Sequence, residues 1–141
     1  MRLGDDLGPQ RRRAPDAAQI GAYAGAGEIR ERFFSDDAYA RRLGLPGVIV
    51  PGPMLTAFIE HFLRRELPGW RLERLSTSFR VPTSPGAPLV LHGAVTEHHE
   101  RADGERLVCD VVIEHGETPG EGDRAVTASA TLKRSSSTHG R

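Results

Sequence analysis

Between Pro53 and Pro68, the apolar residues Met54, Leu55, Phe58, Ile59, Phe62 and Leu63 recur at helical spacing and form one broad stripe. A stripe that wide must be covered, and 141 residues supply material for one hydrophobic core rather than two. The cover has to come from the chain beyond Pro68. After Trp70 the hydrophobic period drops from about 3.6 residues to about 2. Leu75, Thr77, Phe79 and Val81 then share one side, with Ser76, Ser78 and Arg80 on the other. Pro82 and Pro85-Gly86 mark a turn. A second strand is expected from Leu89 to Thr96, and the charged stretch Glu97–Glu105 carries the hairpin signal Asp103-Gly104. Leu107, Cys109, Val111 and Ile113 form one face of a third strand. Val126, Ala128, Ala130 and Leu132 do the same for a fourth, beyond the glycine-rich turn 116–122.

Upstream of the stripe the pattern is weaker. Asp16 caps a short helix through Ile20, Tyr23 and Ala24, which Gly25 and Gly27 interrupt. A second short helix spans Asp36 to Leu43, with Ser35 or Asp36 as cap and Gly44 as terminator. Residues 1–15 hold Gly4, Gly8, Pro9, Pro15 and the run Arg11-Arg12-Arg13, and read as a flexible lead-in whose arginines are either solvated or in touch with phosphates of a cofactor or partner. Residues 134–141 read as a disordered tail, leaving one domain over 16–133. The class is α+β: helices first, then an antiparallel meander of four strands packed on the long helix. A sheet of this kind has an open edge, and pairing with a second copy removes it, so a dimer is expected.

Charge and composition narrow the function. Nineteen basic residues balance nineteen acidic ones, so no global field gathers a polyanion and nucleic acid is not an expected partner. No stretch has the apolar length of a signal peptide or a membrane span. The single cysteine, Cys109, allows no intrachain disulfide, in keeping with a cytoplasmic protein. It shares a face with Leu107 and Val111, which makes it a core residue rather than a nucleophile. His98 and His99 point to opposite faces of a strand, so no metal site is expected. The glycines at 25 and 27 lack the preceding strand and following Lys-Ser/Thr of a phosphate loop, so no cofactor is expected.

Acid/base candidates are few. His61 lies on the apolar helix, and Glu28, Glu31, Asp36 and Asp37 lie near the loop between the short helices. Gly52 and Pro53 carry more information. A glycine ahead of a buried helix lets a ligand approach the free N–H groups and the positive end of the helix dipole, where an oxygen gaining negative charge is stabilised. A structural turn accounts for the same two residues.

Three stretches together resemble the MaoC-like hot-dog proteins, which include R-specific enoyl-CoA hydratases and 3-hydroxyacyl thioester dehydratases. They are Tyr23-Ala24-Gly25-Ala26, Asp36-Asp37-Ala38-Tyr39-Ala40-Arg41 and Gly47-Val48-Ile49-Val50-Pro51-Gly52-Pro53-Met54-Leu55. The run Leu75–Val81, with Pro82, Pro85 and Gly86, resembles the family's first sheet strand and turn. The resemblance implies a hot-dog fold, with the sheet wrapped around a central helix. It also implies dimers, and an acyl thioester of coenzyme A or carrier protein bound beside the helix N-terminus.

Active members carry an Asp and, five residues on, a His after the Tyr-Ala-Gly motif; laid on without a gap, these positions are Ile29 and Phe34. Neither exchanges a proton. The family's frequent His before the helix glycine is replaced by Pro51. By resemblance, Ile29, Phe33, Phe34, Gly52, Pro53 and Met54 are the substrate-binding candidates, and Asp36, Glu28 and His61 are the substitute acid/base candidates. The leading expectation is a degenerate subunit of a dehydratase or hydratase, paired with another hot-dog chain. The alternatives are a repurposed homodimeric dehydratase, cyclase or thioesterase of specialised, polyketide-type metabolism, and a non-catalytic binder of a hydrophobic ligand.

Overall fold

The computed structural model describes residues 2–26, 36–45 and 47–135. The elements are β1 (Asp6–Arg13), α1 (Ala17–Ala26), α2 (Asp37–Arg42), α3 (Gly52–Glu66), β2 (Arg71–Phe79), β3 (Pro88–Arg101), β4 (Gly104–His115) and β5 (Arg124–Ser135). The five strands form one antiparallel sheet in the order β1-β3-β4-β5-β2.

The long helix packs as its stripe requires. Leu55, Ile59, Phe62 and Leu63 are buried, and Met54 and Phe58 pack against the core from its margin. Each fully buried side chain of this size contributes about 1.5–3 kcal/mol relative to exposure. The facing sheet surface is the alternate set Leu89, Leu91 and Val95 of β3, Leu107, Cys109, Val111 and Ile113 of β4, and Val126, Ala128, Ala130 and Leu132 of β5. Register brings these together in rows: Ile113 lies opposite Leu91 and Val126, and Cys109 opposite Val95 and Ala130. Pro at the start of α3 fits a position whose N–H would have no helical acceptor, and Pro68-Gly69 ends the helix, with Gly69 at φ 88°.

The short helices carry the expected caps. Asp16 Oδ1 accepts from the Gln19 N–H at 2.8 Å, and Gln19 Oε1 accepts from the Asp16 N–H at 2.9 Å, a reciprocal box. Asp36 Oδ1 accepts from the Tyr39 N–H at 3.0 Å and caps α2. Helix α1 runs on through Gly25 to Ala26, where an interruption was expected.

Four further expectations are corrected. Residues 6–13, read as part of a flexible lead-in, form the edge strand β1 on β3. A backbone ladder holds it, and Leu7 enters the core while the arginines find local partners. Arg12 lies over the Phe58 ring at 3.4 Å, Arg11 Nε donates to the Glu117 carbonyl and Arg13 to the Gly86 carbonyl. The sheet is not a four-strand meander: β2 crosses to the far side of β5, and β1 adds a fifth strand. The charged stretch Glu97–Arg101 continues β3, so that Arg101 pairs with Gly104 across the hairpin. At the other terminus, β5 includes Arg134 and Ser135, and residues 136–141 lie outside the described residues.

Candidate functional site

Three hydrogen bonds position the start of α3. Asp37, in the first turn of α2, accepts the Val48 N–H on Oδ1 at 2.8 Å. Gly47, at φ 151°, packs so closely on this carboxylate that a Cβ would stand 3.0 Å from Oδ1. The Val50 N–H then donates to the Thr83 carbonyl at 2.9 Å, which ties the chain entering α3 to the loop leaving β2, and the Met54 N–H donates to the Pro51 carbonyl at 3.0 Å. Pro51 is the N-cap, and no side chain caps the helix. Pro53 has no N–H and that of Met54 is already used, so a ligand oxygen would meet the Gly52 N–H and the positive end of the helix dipole.

A cavity of about 270 Å³ opens beside this helix end. Ile49, Val50, Leu55, Phe79, Val81 and Pro82 form most of its wall around Gly52. The ring of Phe79 packs directly on this glycine: a Cβ on Gly52 would lie 2.9 Å from Cζ of Phe79 and displace it. Phe79, the last residue of the edge strand β2, and Val81, in the loop beyond it, are 54% and 38% exposed, respectively. Apart from Arg80 at the rim, the described residues around the cavity carry no ionisable side chain.

Thr83 adds one polar side chain to the wall. Thr83 is buried, and its Oγ1 lies 3.0 Å from Nε2 of His115, the last residue of β4. The neighbouring Glu114 is fully buried on the opposite face of the sheet. Its carboxylate takes His92 Nε2 at 2.5 Å and the N–H groups of Gly120 and Gly122, fastening the 116–122 turn. Burial acts to raise the Glu114 carboxyl pKa, but the bonds from His92 and the two amides outweigh it, and the net shift is downward.

The expected site residues divide three ways. Gly52 lines the cavity, whereas Pro53 is exposed and Met54 packs against the core. Asp36 is engaged as the α2 cap and His61 is exposed on α3, and neither lines the cavity. Glu28, Glu31, Ile29, Phe33 and Phe34 lie outside the described residues. Sequence reasoning missed Phe79 and Val81 as wall residues, having read them only as one side of a strand with Leu75 and Thr77. It also missed the Thr83–His115 contact, which joins residues 32 apart.

Cys109 is buried in the core, as its strand face implied, with the thiol pushed up to about 11 by burial and then by the nearby Asp110 charge. His98 bonds to Glu105 at 2.9 Å and His99 to Glu97 at 2.8 Å. The hairpin brings ligand atoms of His98, Glu100 and Glu105 within 4.8 Å of one another, a grouping the strand alternation did not suggest. Glu105 is also engaged by Arg134. Among the described residues, no helix is long and apolar enough to cross a membrane.

No family model matches the sequence, and no curated protein matches it significantly. Solved structures do match. An (R)-hydratase from A. caviae involved in PHA biosynthesis superposes with a TM-score of 0.78 at 24% identity, covering 95% of this chain and 97% of that one. A MaoC-like dehydratase from Rhodospirillum rubrum gives a TM-score of 0.81 at 22% identity over 96% and 93% of the two chains. A chain of the ChsH1-ChsH2 complex from Mycobacterium tuberculosis gives 0.77 at 19% identity over 95% and 98%. With its antiparallel sheet folded on one long helix, the chain has the hot-dog fold of the MaoC-like dehydratases and (R)-hydratases.

Proposed function

We propose that this protein binds an acyl thioester, of coenzyme A or a carrier protein, with the acyl group in the cavity beside α3 and the thioester carbonyl at the helix end near Gly52. It acts as the non-catalytic half of a hot-dog dehydratase or hydratase. The observation that carries the reading is the cavity itself: an apolar wall around an uncapped helix N-terminus, with no carboxylate or imidazole among its described residues.

Such a site polarises a carbonyl without moving a proton. Hydration across a double bond needs a base for the water and an acid for the α-carbon, and each such group contributes a factor of about 10² to 10⁴. Ile29 and Phe34, at the positions where the resemblance places that pair, supply neither. The acid and base then come from a second hot-dog chain, and the ChsH1-ChsH2 complex offers a structural precedent for assembly from two different chains.

The test is co-purification from the native host, with hydratase assays run with and without the partner recovered. The reading expects a hot-dog partner and hydratase activity that appears only on mixing. A homodimer that no partner stimulates refutes it.

A further inference from the structure

We propose that His98, Glu100 and Glu105, on the β3–β4 hairpin, bind a divalent transition-metal ion of the zinc type. The three side chains offer one imidazole nitrogen and two carboxylates, and their ligand atoms all lie within 4.8 Å of one another. His98 Nε2 and Glu105 Oε2 stand 2.9 Å apart. Two ligand atoms about 2.1 Å from one ion are separated by roughly 3.0 Å at a right angle and roughly 3.4 Å at the tetrahedral angle. The pair therefore opens by at most about half an ångström to admit the ion, and the Glu100 carboxylate closes in as the third ligand.

One backbone irregularity brings the set together. Val95 pairs with Cys109 and Glu97 with Val108, so Thr96 is the extra residue of a bulge in β3. Its Oγ1 donates to the Val108 carbonyl at 3.1 Å. In a regular strand Glu97 and His99 would share the face of Val95. The bulge reverses that parity: His98 lies opposite the buried Leu107, and Glu100 opposite Glu105. Residues paired across an antiparallel ladder share a face, so His98, Glu100 and Glu105 project from one side of the hairpin and His99 from the other. The two histidines do diverge, as alternation requires; the third ligand comes from the strand across.

Arg134 on β5 orients the set. Its Nε and Nη2 both donate to Glu105 Oε1, at 3.1 and 2.6 Å, and its guanidinium lies over the Trp70 ring at 4.6 Å. With Oε1 taken, Oε2 is the oxygen turned to His98, the arrangement by which an outer hydrogen bond fixes a ligating carboxylate. Two carboxylates against one guanidinium leave the cluster attractive to a cation. The imidazole selects the ion's class, because Mg²⁺ and Ca²⁺ take oxygen ligands whereas zinc accepts nitrogen and oxygen together. Bound there, the ion joins β3 to β4 close to their turn.

The test uses the untagged chain, freed of metal with a chelator, and ZnCl₂ as the probe. Calorimetry should find one equivalent of zinc per chain. At a hundredfold excess over the dissociation constant, the melting temperature should rise by about 10 °C and fall back with EDTA. MgCl₂ and CaCl₂ at the same concentrations should move it by less than about 1 °C. His98→Ala and Glu100→Gln should each weaken zinc binding at least about tenfold. His99→Ala should bind as wild type does, since that ring bonds Glu97 on the other face. Glu100 is exposed, so Glu100→Gln remains decisive even if losing the His98–Glu105 bond disturbs the hairpin. A wild-type chain whose melting is indifferent to zinc overturns the site. Zinc binding undiminished in either ligand variant places the ion elsewhere and overturns it too, as does a shift that Mg²⁺ or Ca²⁺ reproduces.

Discussion

Replacing Glu114 by alanine tests the link between the buried carboxylate and the 116–122 turn that it fastens. The side chain is fully buried, and its oxygens lie 2.5 Å from His92 Nε2 and 3.0 and 2.8 Å from the Gly120 N–H. Gly122 adds a longer contact at 3.4 Å, and a side chain at that glycine would collide with the His115 carbonyl, so the turn cannot easily close in on the vacated space. Two charge-assisted hydrogen bonds of about 1.5–3 kcal/mol each are lost, offset in part because water reaches the quarter-exposed His92. A net cost of about 3 kcal/mol results, or roughly 10–15 °C in melting temperature for a domain of this size. The Glu114 carboxyl is shifted downward in the fold, so its contribution is fully present above the unfolded value near pH 4.3 and fades as pH falls through the folded value. Thermal melts of wild type and Glu114→Ala, at fixed protein concentration, should therefore differ most near neutral pH and converge in acid. A deficit under about 1 kcal/mol at neutral pH, or one unchanged at about pH 3, refutes the argument.

The same geometry carries other expectations. Gly52→Val should leave the melting temperature within a few degrees, because the clash is with the end of the half-exposed Phe79 ring, which can swing away. It should nevertheless weaken acyl-thioester binding about tenfold, the equivalent of losing one buried contact; unchanged affinity removes Gly52 from the site. Cys109 should resist iodoacetamide in the native protein at mildly alkaline pH and react once unfolded, since its thiol is buried and pushed up to about 11; rapid native labelling contradicts its place in the core. His61→Ala should change neither stability, beyond about 0.5 kcal/mol, nor binding. Asp36→Ala should cost about 1 kcal/mol through the lost α2 cap while binding persists. Loss of thioester binding in either variant would return these residues to the candidate site.

What the sequence reveals here depends on how local the physics is. The stripe of α3 and the alternation in β3, β4 and β5 are legible because each pattern is set by a face turned toward one core. Asp16 and Asp36 are legible as caps because a cap acts within one turn. Strand β1 is not, since an edge strand needs only a ladder and one buried residue, Leu7, and its run of arginines reads as solvated chain. Phe79 and Val81 alternate like core residues, but β2 is an edge strand that ends at Phe79, so the pattern runs out of the sheet and lines a cavity instead. Gly52 could be chosen because close approach favours a glycine ahead of a buried helix. Thr83 and His115 could not, because loop and strand end meet only when β2 crosses to the far side of β5.

Binding without conversion is what separates this chain from a self-sufficient hydratase. The most direct measurement adds a short 2-enoyl-CoA to the purified chain and records calorimetric binding together with loss of the enoyl absorbance. Saturable binding with constant absorbance, and hydration only when a hot-dog chain bearing an acid/base pair is added, is the predicted result. Hydration by the chain alone, abolished by removing a side chain of its own, would contradict it.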